Sequence, residues 1–211
     1  MILKRLKDET RSSHQATEKQ LDLFNRMLTK QEYAWLLGRF WGFYVPIESK
    51  IHRVVGLEEL PLNLSARQKK TLLWIDLTSL DWNEPTIQAL PLCDDLPVLD
   101  SIPQALGCLY VLEGSTLGGQ IISRHLQERL GITPDNGGRF FSSYGPAVGS
   151  MWKAFCETVT AYSNSPQIED TIVDSAIETF AAFGRWFEAG NKIEFDRTAS
   201  NETRQLPSRN S

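Results

Sequence analysis

Two stretches of this chain hold residue types at spacings that could do chemistry. The first is Leu6-Lys7-Asp8-Glu9-Thr10-Arg11-Ser12-Ser13-His14-Gln15-Ala16-Thr17-Glu18. At 3.6 residues per turn, Leu3, Lys7, Thr10, His14, Glu18 and Leu21 fall on one stripe, taken as the inward face of an amphipathic helix. His14 there offers a neutral nitrogen of the kind that ligates metals. Glu18 places a carboxylate one turn on. Lys7, roughly 10 Å back along the axis at about 1.5 Å per residue, could meet an anionic group on the same ligand. His52 and His125 have no comparable company. The plainer alternatives stay open: a hydrogen-bonded core histidine, flanked by ordinary surface charges.

The second stretch is Leu109-Tyr110-Val111-Leu112-Glu113-Gly114-Ser115-Thr116-Leu117-Gly118-Gly119-Gln120. Glycine inside a helix costs about 1 kcal/mol relative to alanine, so Gly114, Gly118 and Gly119 together cost roughly 3 kcal/mol. Ser115 and Thr116 add hydroxyls that compete for backbone groups. Such a helix has either a flat or bulky ligand against its backbone or a close helix neighbour, since Gly114 and Gly118 have small-xxx-small spacing. The sequence alone does not choose between them.

The elements that would position these residues are helices. Tyr33, Leu36, Leu37, Phe40, Trp41, Tyr44, Ile47 and Ile51 follow i, i+3, i+4 spacing. Thr29 and Glu32 form a capping-box pattern before them, and Pro46 within the run should kink it. A shorter helix is predicted over 65–77 with Ser65 as N-cap. Pro85, Pro91, Pro97 and Pro103 break the stretch 80–103 into short pieces. A long helix is predicted from Pro103 to Leu130, stopped by Gly131. A glycine-rich loop over 134–145 follows, then helices over 146–163 and 167–189. No strand pattern occurs. The expectation is an all-α single domain over residues 1–190, with a polar, disordered tail over 191–211.

Composition sets the outer bounds. An apolar fraction of 41%, with ten Phe and six Trp, suffices for a substantial core. The net charge of −4 gives no electrostatic footprint for nucleic acid or anionic lipid. Cys93, Cys108 and Cys156 form no CxxC pair or disulfide framework, which suits a reducing compartment. The first ten residues lack the apolar segment of a signal peptide, and no run of about 18 apolar residues exists to span a membrane. A cytoplasmic protein with no membrane or nucleic-acid partner is expected.

Taken together, the two stretches resemble the haem oxygenase family, in particular its bacterial, biliverdin-producing, phytochrome-associated branch. Leu6-Lys7-x-x-Thr10-x-x-x-His14-x-x-x-Glu18 is similar to the family's proximal helix, and 109–120 to its glycine-rich distal helix. Phe140-Phe141-Ser142-Ser143-Tyr144-Gly145 followed by Met151-Trp152-Lys153 is also similar to the bacterial branch. The resemblance covers roughly residues 1–190.

It implies a haem b that is both cofactor and substrate, opened by dioxygen to biliverdin, CO and ferrous iron. His14 would be the axial ligand of the iron, and Glu18 would hold its second nitrogen directly or through water. Lys7 would pair with a haem propionate, as would Lys153. Thr10 and Phe180 would line the macrocycle. Gly114 and Gly118 would bring the distal backbone close to the iron's oxygen side, with Ser115 organising a water there. Electrons would come from an external ferredoxin or flavoprotein reductase, and a phytochrome could accept the biliverdin. Two residues depart from the pattern. Ser115 stands where some relatives carry an aspartate, and Glu157 stands where some carry a second basic propionate partner. These departures motivate an alternative, a non-catalytic haem-binding or haem-sensing protein on the same fold.

Overall fold

A computed structural model describes residues 1–23 and 29–203, with side chains in the last helix as far as residue 189. Among the described residues there is no strand, and helices carry the fold. Helix α1 (Ile2–Glu9) and α2 (Arg11–Leu21) meet at Thr10, whose backbone stays near-helical. Hydrogen bonds run through the joint, from Thr10 N to Leu6 O at 3.0 Å and from His14 N to Thr10 O at 2.9 Å. Helix α3 (Lys30–Ile51) starts on the expected capping box: Glu32 N donates to Thr29 Oγ1 at 3.1 Å, and Thr29 N to Glu32 Oε2 at 2.8 Å. Pro46 lies inside α3 and has no N–H, so the Gly42 carbonyl four residues back lacks its helical donor. Cys93 N takes that place at 2.8 Å and fastens the extended stretch 90–101 to the helix.

The helix predicted over 65–77 is two pieces, α4 (Leu64–Arg67) and α5 (Lys70–Ser79). Asn63, not Ser65, caps the first, accepting from Ala66 N at 3.2 Å. Gln68 between them is extended, which turns the next two amides toward Glu48. A short helix α6 (Glu84–Gln88) follows on its Asn83 cap.

Helix α7 (Ile102–Leu130) is the long helix expected, and Gly131 ends it in the left-handed region at φ 65°. Gly131 N reaches Gln127 O and Ile132 N reaches Leu126 O, the crossed pair that closes a helix C-terminus. The stretch predicted as loop over 134–145 instead contains a helical turn, α8 (Arg139–Ser142). Buried Asp76 of α5 anchors it, accepting from Arg139 N at 2.9 Å and Phe140 N at 2.7 Å. No periodicity reveals a single turn whose N-terminal amides are held from elsewhere in the chain. Helix α9 (Val148–Tyr162) leads to α10 (Pro166–Thr203). That helix runs past the end expected near Ala189, since neither proline nor a second glycine interrupts 191–203; residues 204–211 of the expected tail lie outside the described residues.

The core is one cluster in which Phe40, Phe43, Tyr44, Phe140, Phe141, Phe183 and Phe187 touch ring to ring. Helix α10 is its floor. α7 closes on that floor at Gly107, where a methyl group would stand 2.2 Å from Ile172 O. α2 closes on it through Gln20, which donates to Gly184 O at 2.7 Å. Arg39 of α3 lies over the Trp186 ring at 3.7 Å, while Trp186 Nε1 donates to Arg39 O at 2.9 Å. The three cysteines are free thiols. No helix among the described residues is long and apolar enough to cross a membrane.

Candidate haem-binding site

The joint between α1 and α2 sets the geometry. Thr10 is buried, its hydroxyl donates to Leu6 O at 2.6 Å, and the same hydroxyl lies at that of Tyr110 on α7. His14 is one helical turn past Thr10, and Gly114 is one turn past Tyr110. The two stretches singled out in the sequence therefore leave a shared contact, with the histidine and the first glycine at matching distances from it.

Beyond the joint, both helices present open surface. α2 buries no residue, and the His14 side chain is 54% exposed. This corrects the expected inward stripe: the buried line is Ile2, Leu6 and Thr10, while Lys7, His14 and Glu18 are exposed. On α1 the core takes Ile2 and Leu6 in place of Leu3 and Lys7, while Thr10, also on the expected stripe, is buried as expected. The ring of His14 is not adrift, however. Its edge meets buried Phe180 with centroids 5.8 Å apart and planes at 86°. His14 Nδ1 stands 3.6 Å from Glu18 Oε2, just beyond direct hydrogen-bond distance. Nδ1 is thus on the carboxylate side of the ring, and Nε2 is the nitrogen away from it.

On α7 the glycines separate into two kinds. A methyl group at Gly119 would stand 2.2 Å from Phe141 O, so this glycine lets α8 pack backbone to backbone. A methyl group at Gly118 would meet nothing within 4 Å, and one at Gly114 would make an ordinary 3.8 Å contact with Trp152. Packing among the described residues explains Gly119 and leaves Gly114 and Gly118 unexplained. Around them, Leu117 and Ile121 are exposed, at 45% and 66%. An apolar, side-chain-poor surface of this kind fits the flat face of a porphyrin, and His14 supplies a single imidazole donor. Among the described residues no cluster of three or more His, Cys, Asp or Glu could hold a bare metal ion. His14 and the side-chain-poor surface at Gly114 and Gly118 are the residues that would hold a haem, whose ring supplies most of its own ligands.

The remaining expected residues stand less close together. Lys7 is exposed on α1. Lys153 on α9 is 78% exposed and faces Glu157 at 3.8 Å, so the acid that departs from the family pattern is its neighbour. Ser115 is exposed; its hydroxyl donates to Leu112 O at 2.7 Å and lies 3.4 Å from Tyr44 Oη.

A buried polar group went unseen in the sequence. Glu113, next to Gly114, is ion-paired with Arg67 and accepts from Tyr144 Oη at 2.7 Å. Lys69 Nζ lies 3.7 Å over the Tyr144 ring and donates to Arg67 O at 3.0 Å. Glu48 accepts from Lys69 N at 2.5 Å. Burial pushes the Glu48 carboxyl up and pulls the Lys69 ammonium down to about 8. Burial likewise raises the Tyr44 and Tyr144 phenols, so both stay neutral donors. The available signal was an acid within an apolar stripe, Glu48 four residues after Tyr44 on α3 and Glu113 beside Leu112 on α7.

A sequence model of the family described as heme oxygenase matches residues 1–189. The chain belongs to the haem oxygenase family. Its fold is shared with solved haem oxygenases. One is the NO- and CO-bound heme oxygenase from Neisseria meningitidis, at 21% identity and a TM-score of 0.74, covering 90% of this chain and 91% of that one. Another is heme oxygenase-1 from the cyanobacterium Synechocystis in complex with heme, at 17% identity and a TM-score of 0.71, covering 96% and 98%. No curated protein matches the chain. Membership accounts for the all-helical single domain and makes haem the expected ligand of a haem oxygenase site.

Proposed function

We propose that this haem oxygenase family member opens haem oxidatively to biliverdin, with release of CO and ferrous iron. Dioxygen and an external ferredoxin or flavoprotein reductase supply oxidant and electrons. Haem, when bound, supplies the iron at which dioxygen is reduced and the ring that is attacked. The observation that carries this reading is the pairing of His14 with two glycines that packing does not require, each one or two turns past the Thr10–Tyr110 joint.

In this reading His14 would hold the haem iron through Nε2, with Glu18 on the side of its other nitrogen and Phe180 packed perpendicular to its ring. Thr10 and Phe180 border the macrocycle. Gly114 and Gly118 keep bulk away from the opposite face, so backbone amides and water there can donate hydrogen bonds. Ser115 holds a water as hydrogen-bond partner, although it cannot supply an aspartate's negative charge. Lys7 and Lys153 attract the propionates from solvent, a screened interaction worth little each. The protein acts in the cytoplasm, and a phytochrome is a suitable acceptor for the product.

Haem titration of the purified protein, followed by reductant and air, tests the reading. The expected result is a histidine-ligated Soret band that is lost as biliverdin forms, identified by chromatography of the extracted pigment. Unchanged binding and turnover in His14→Ala would refute the ligand assignment. A Soret band that persists under reductant and air would favour the non-catalytic haem-binding alternative, which the substitution of serine for aspartate at position 115 motivates.

A further inference from the structure

The single turn α8 (Arg139–Ser142) is too short to stand on its own hydrogen bonds, and groups from α3 and α5 hold it. At its start both oxygens of buried Asp76 are taken, Oδ1 accepting from Arg139 N at 2.9 Å and Oδ2 from Phe140 N at 2.7 Å. Just before it, the buried Tyr33 hydroxyl donates to Gly137 O at 2.8 Å. The Phe140 and Phe141 rings pack on Phe40 with centroids 4.9 and 5.6 Å away. The exit from the turn is strained. Ser143 has φ 49° and ψ −113°, which residues with a side chain rarely adopt, and its buried Oγ has no hydrogen-bond partner among the described residues. Such a conformation persists only where the surroundings impose it.

What this strained turn meets is α7. Phe141 O stands where a methyl group at Gly119 would be 2.2 Å from it, so the two backbones touch. Two residues past the turn, Tyr144 Oη donates to Glu113 Oε1 at 2.7 Å. Residues 139–144 thus grip α7 at Glu113 and at Gly119. Gly114 and Gly118, the two glycines that packing does not require, lie between the two grips.

We propose that Asp76 is a positioning residue: by fixing α8 it sets how closely the 114–118 stretch of α7 approaches the haem. The inference rests on the haem oxygenase reading, in which that bare stretch borders the iron's oxygen side. The device is the charge on one carboxylate. Ionised, Asp76 offers an acceptor to each amide, and both bonds are charge-assisted. Once it is protonated, the oxygen that carries the hydrogen is a weaker acceptor, so one amide loses its hold and α8 slackens against α5. Burial raises the Asp76 carboxyl to about 6. The charged and titratable groups facing it are Arg139 on α8, whose charge and amide favour the carboxylate, and Tyr33 on α3, whose phenol burial keeps neutral. Protonation relieves a buried charge and so stabilises the chain as a whole, while it loosens this one grip. The loosening is therefore separable from unfolding. Asp76→Asn holds the loosened arrangement at every pH, because its amide nitrogen cannot accept a hydrogen bond.

NMR of the ligand-free wild type tests the coupling without any variant. The amide signals of Arg139 and Phe140 should titrate with a midpoint of about 6, and those of Gly114, Gly118 and Gly119 should move with the same midpoint. In Asp76→Asn neither set should respond. At saturating haem, Asp76→Asn is expected to turn over roughly tenfold more slowly than wild type, short of the ~10²-fold that a 1 Å misplacement costs, and to give a different mixture of biliverdin isomers. Both differences from wild type should vanish as pH falls through about 6, a profile that a cap with no influence on α7 would not give. Glycine amides that stay still while Arg139 and Phe140 titrate would overturn the proposal, as would wild-type rate and isomer composition in Asp76→Asn. If Asp76→Asn does not fold, the wild-type titration decides alone. If the wild type binds haem without consuming it, the proposed function fails, and the same titration still decides whether α8 moves the glycine stretch.

Discussion

Replacing Gly118 by alanine should stabilise the ligand-free protein while damaging its handling of haem. Gly118 lies inside α7, and a methyl group there meets nothing within 4 Å. The substitution therefore carries no steric cost and gains the helix propensity of alanine, about 0.8–1 kcal/mol. For a domain of this size that corresponds to a rise of roughly 2–4 °C in Tm. Gly119→Ala is the control one residue away. Its methyl group would stand 2.2 Å from Phe141 O, so α8 must move, at a cost of about 1–3 kcal/mol or more. Urea unfolding of the ligand-free proteins measures both signs, and haem titration with turnover measures the consequence. If Gly118→Ala is destabilising, the space over that position is not open. If it is stabilising and haem affinity and turnover are both unaltered, the glycine has no role toward a ligand and the site assignment fails.

His14→Ala should abolish the histidine-ligated Soret band yet leave unfolding of the ligand-free protein within about 0.5 kcal/mol, since the side chain is half exposed on a helix that buries nothing. Glu18→Gln keeps the shape but loses the charge facing Nδ1, and haem affinity should weaken by roughly tenfold, read from the same titration. Asp76 gives a pH signature: burial raises its carboxyl to about 6 from 3.8 in the unfolded chain. Between those values the folded state holds the extra proton, so stability should fall as pH rises from about 4 to 6, by roughly 2–3 kcal/mol. Denaturant unfolding across that range should lose this slope in Asp76→Asn; a slope of opposite sign in the wild type would contradict the burial argument.

Sequence periodicity was a sound guide wherever an element owes its existence to its own apolar stripe. α3, α7 and α9 lie close to where their spacing put them, and the Thr29–Glu32 box and the Gly131 stop are both present. Elements held by distant groups were illegible. α8 depends on Asp76, and the break at Gln68 accompanies the capture of two amides by Glu48. The same division runs through the site. Residue types and spacing single out His14, Glu18, Gly114 and Gly118 as the proposed site, but the stripe does not reveal that Ile2 and Leu6, rather than Leu3 and Lys7, take the core side of α1. Nor does it tell a packing glycine from an open one: Gly118 and Gly119 are adjacent and differ only in what approaches them. The buried ionic cluster draws on α3, α4 and α7 and on residues between elements, so no local window contains it.

The turn of α3 around Arg39 and Gly42 is completed by pieces from far along the chain. Trp186 fills the space a Cβ at Gly42 would take, Cys93 satisfies the carbonyl stranded by Pro46, and Arg39 is sandwiched against α10. During synthesis the first helices must then wait, unfloored and with greasy surface showing, until residues near 187 have emerged. Nascent chains halted before residue 166 should be cleaved readily within α3 by added protease, whereas chains released at full length should resist.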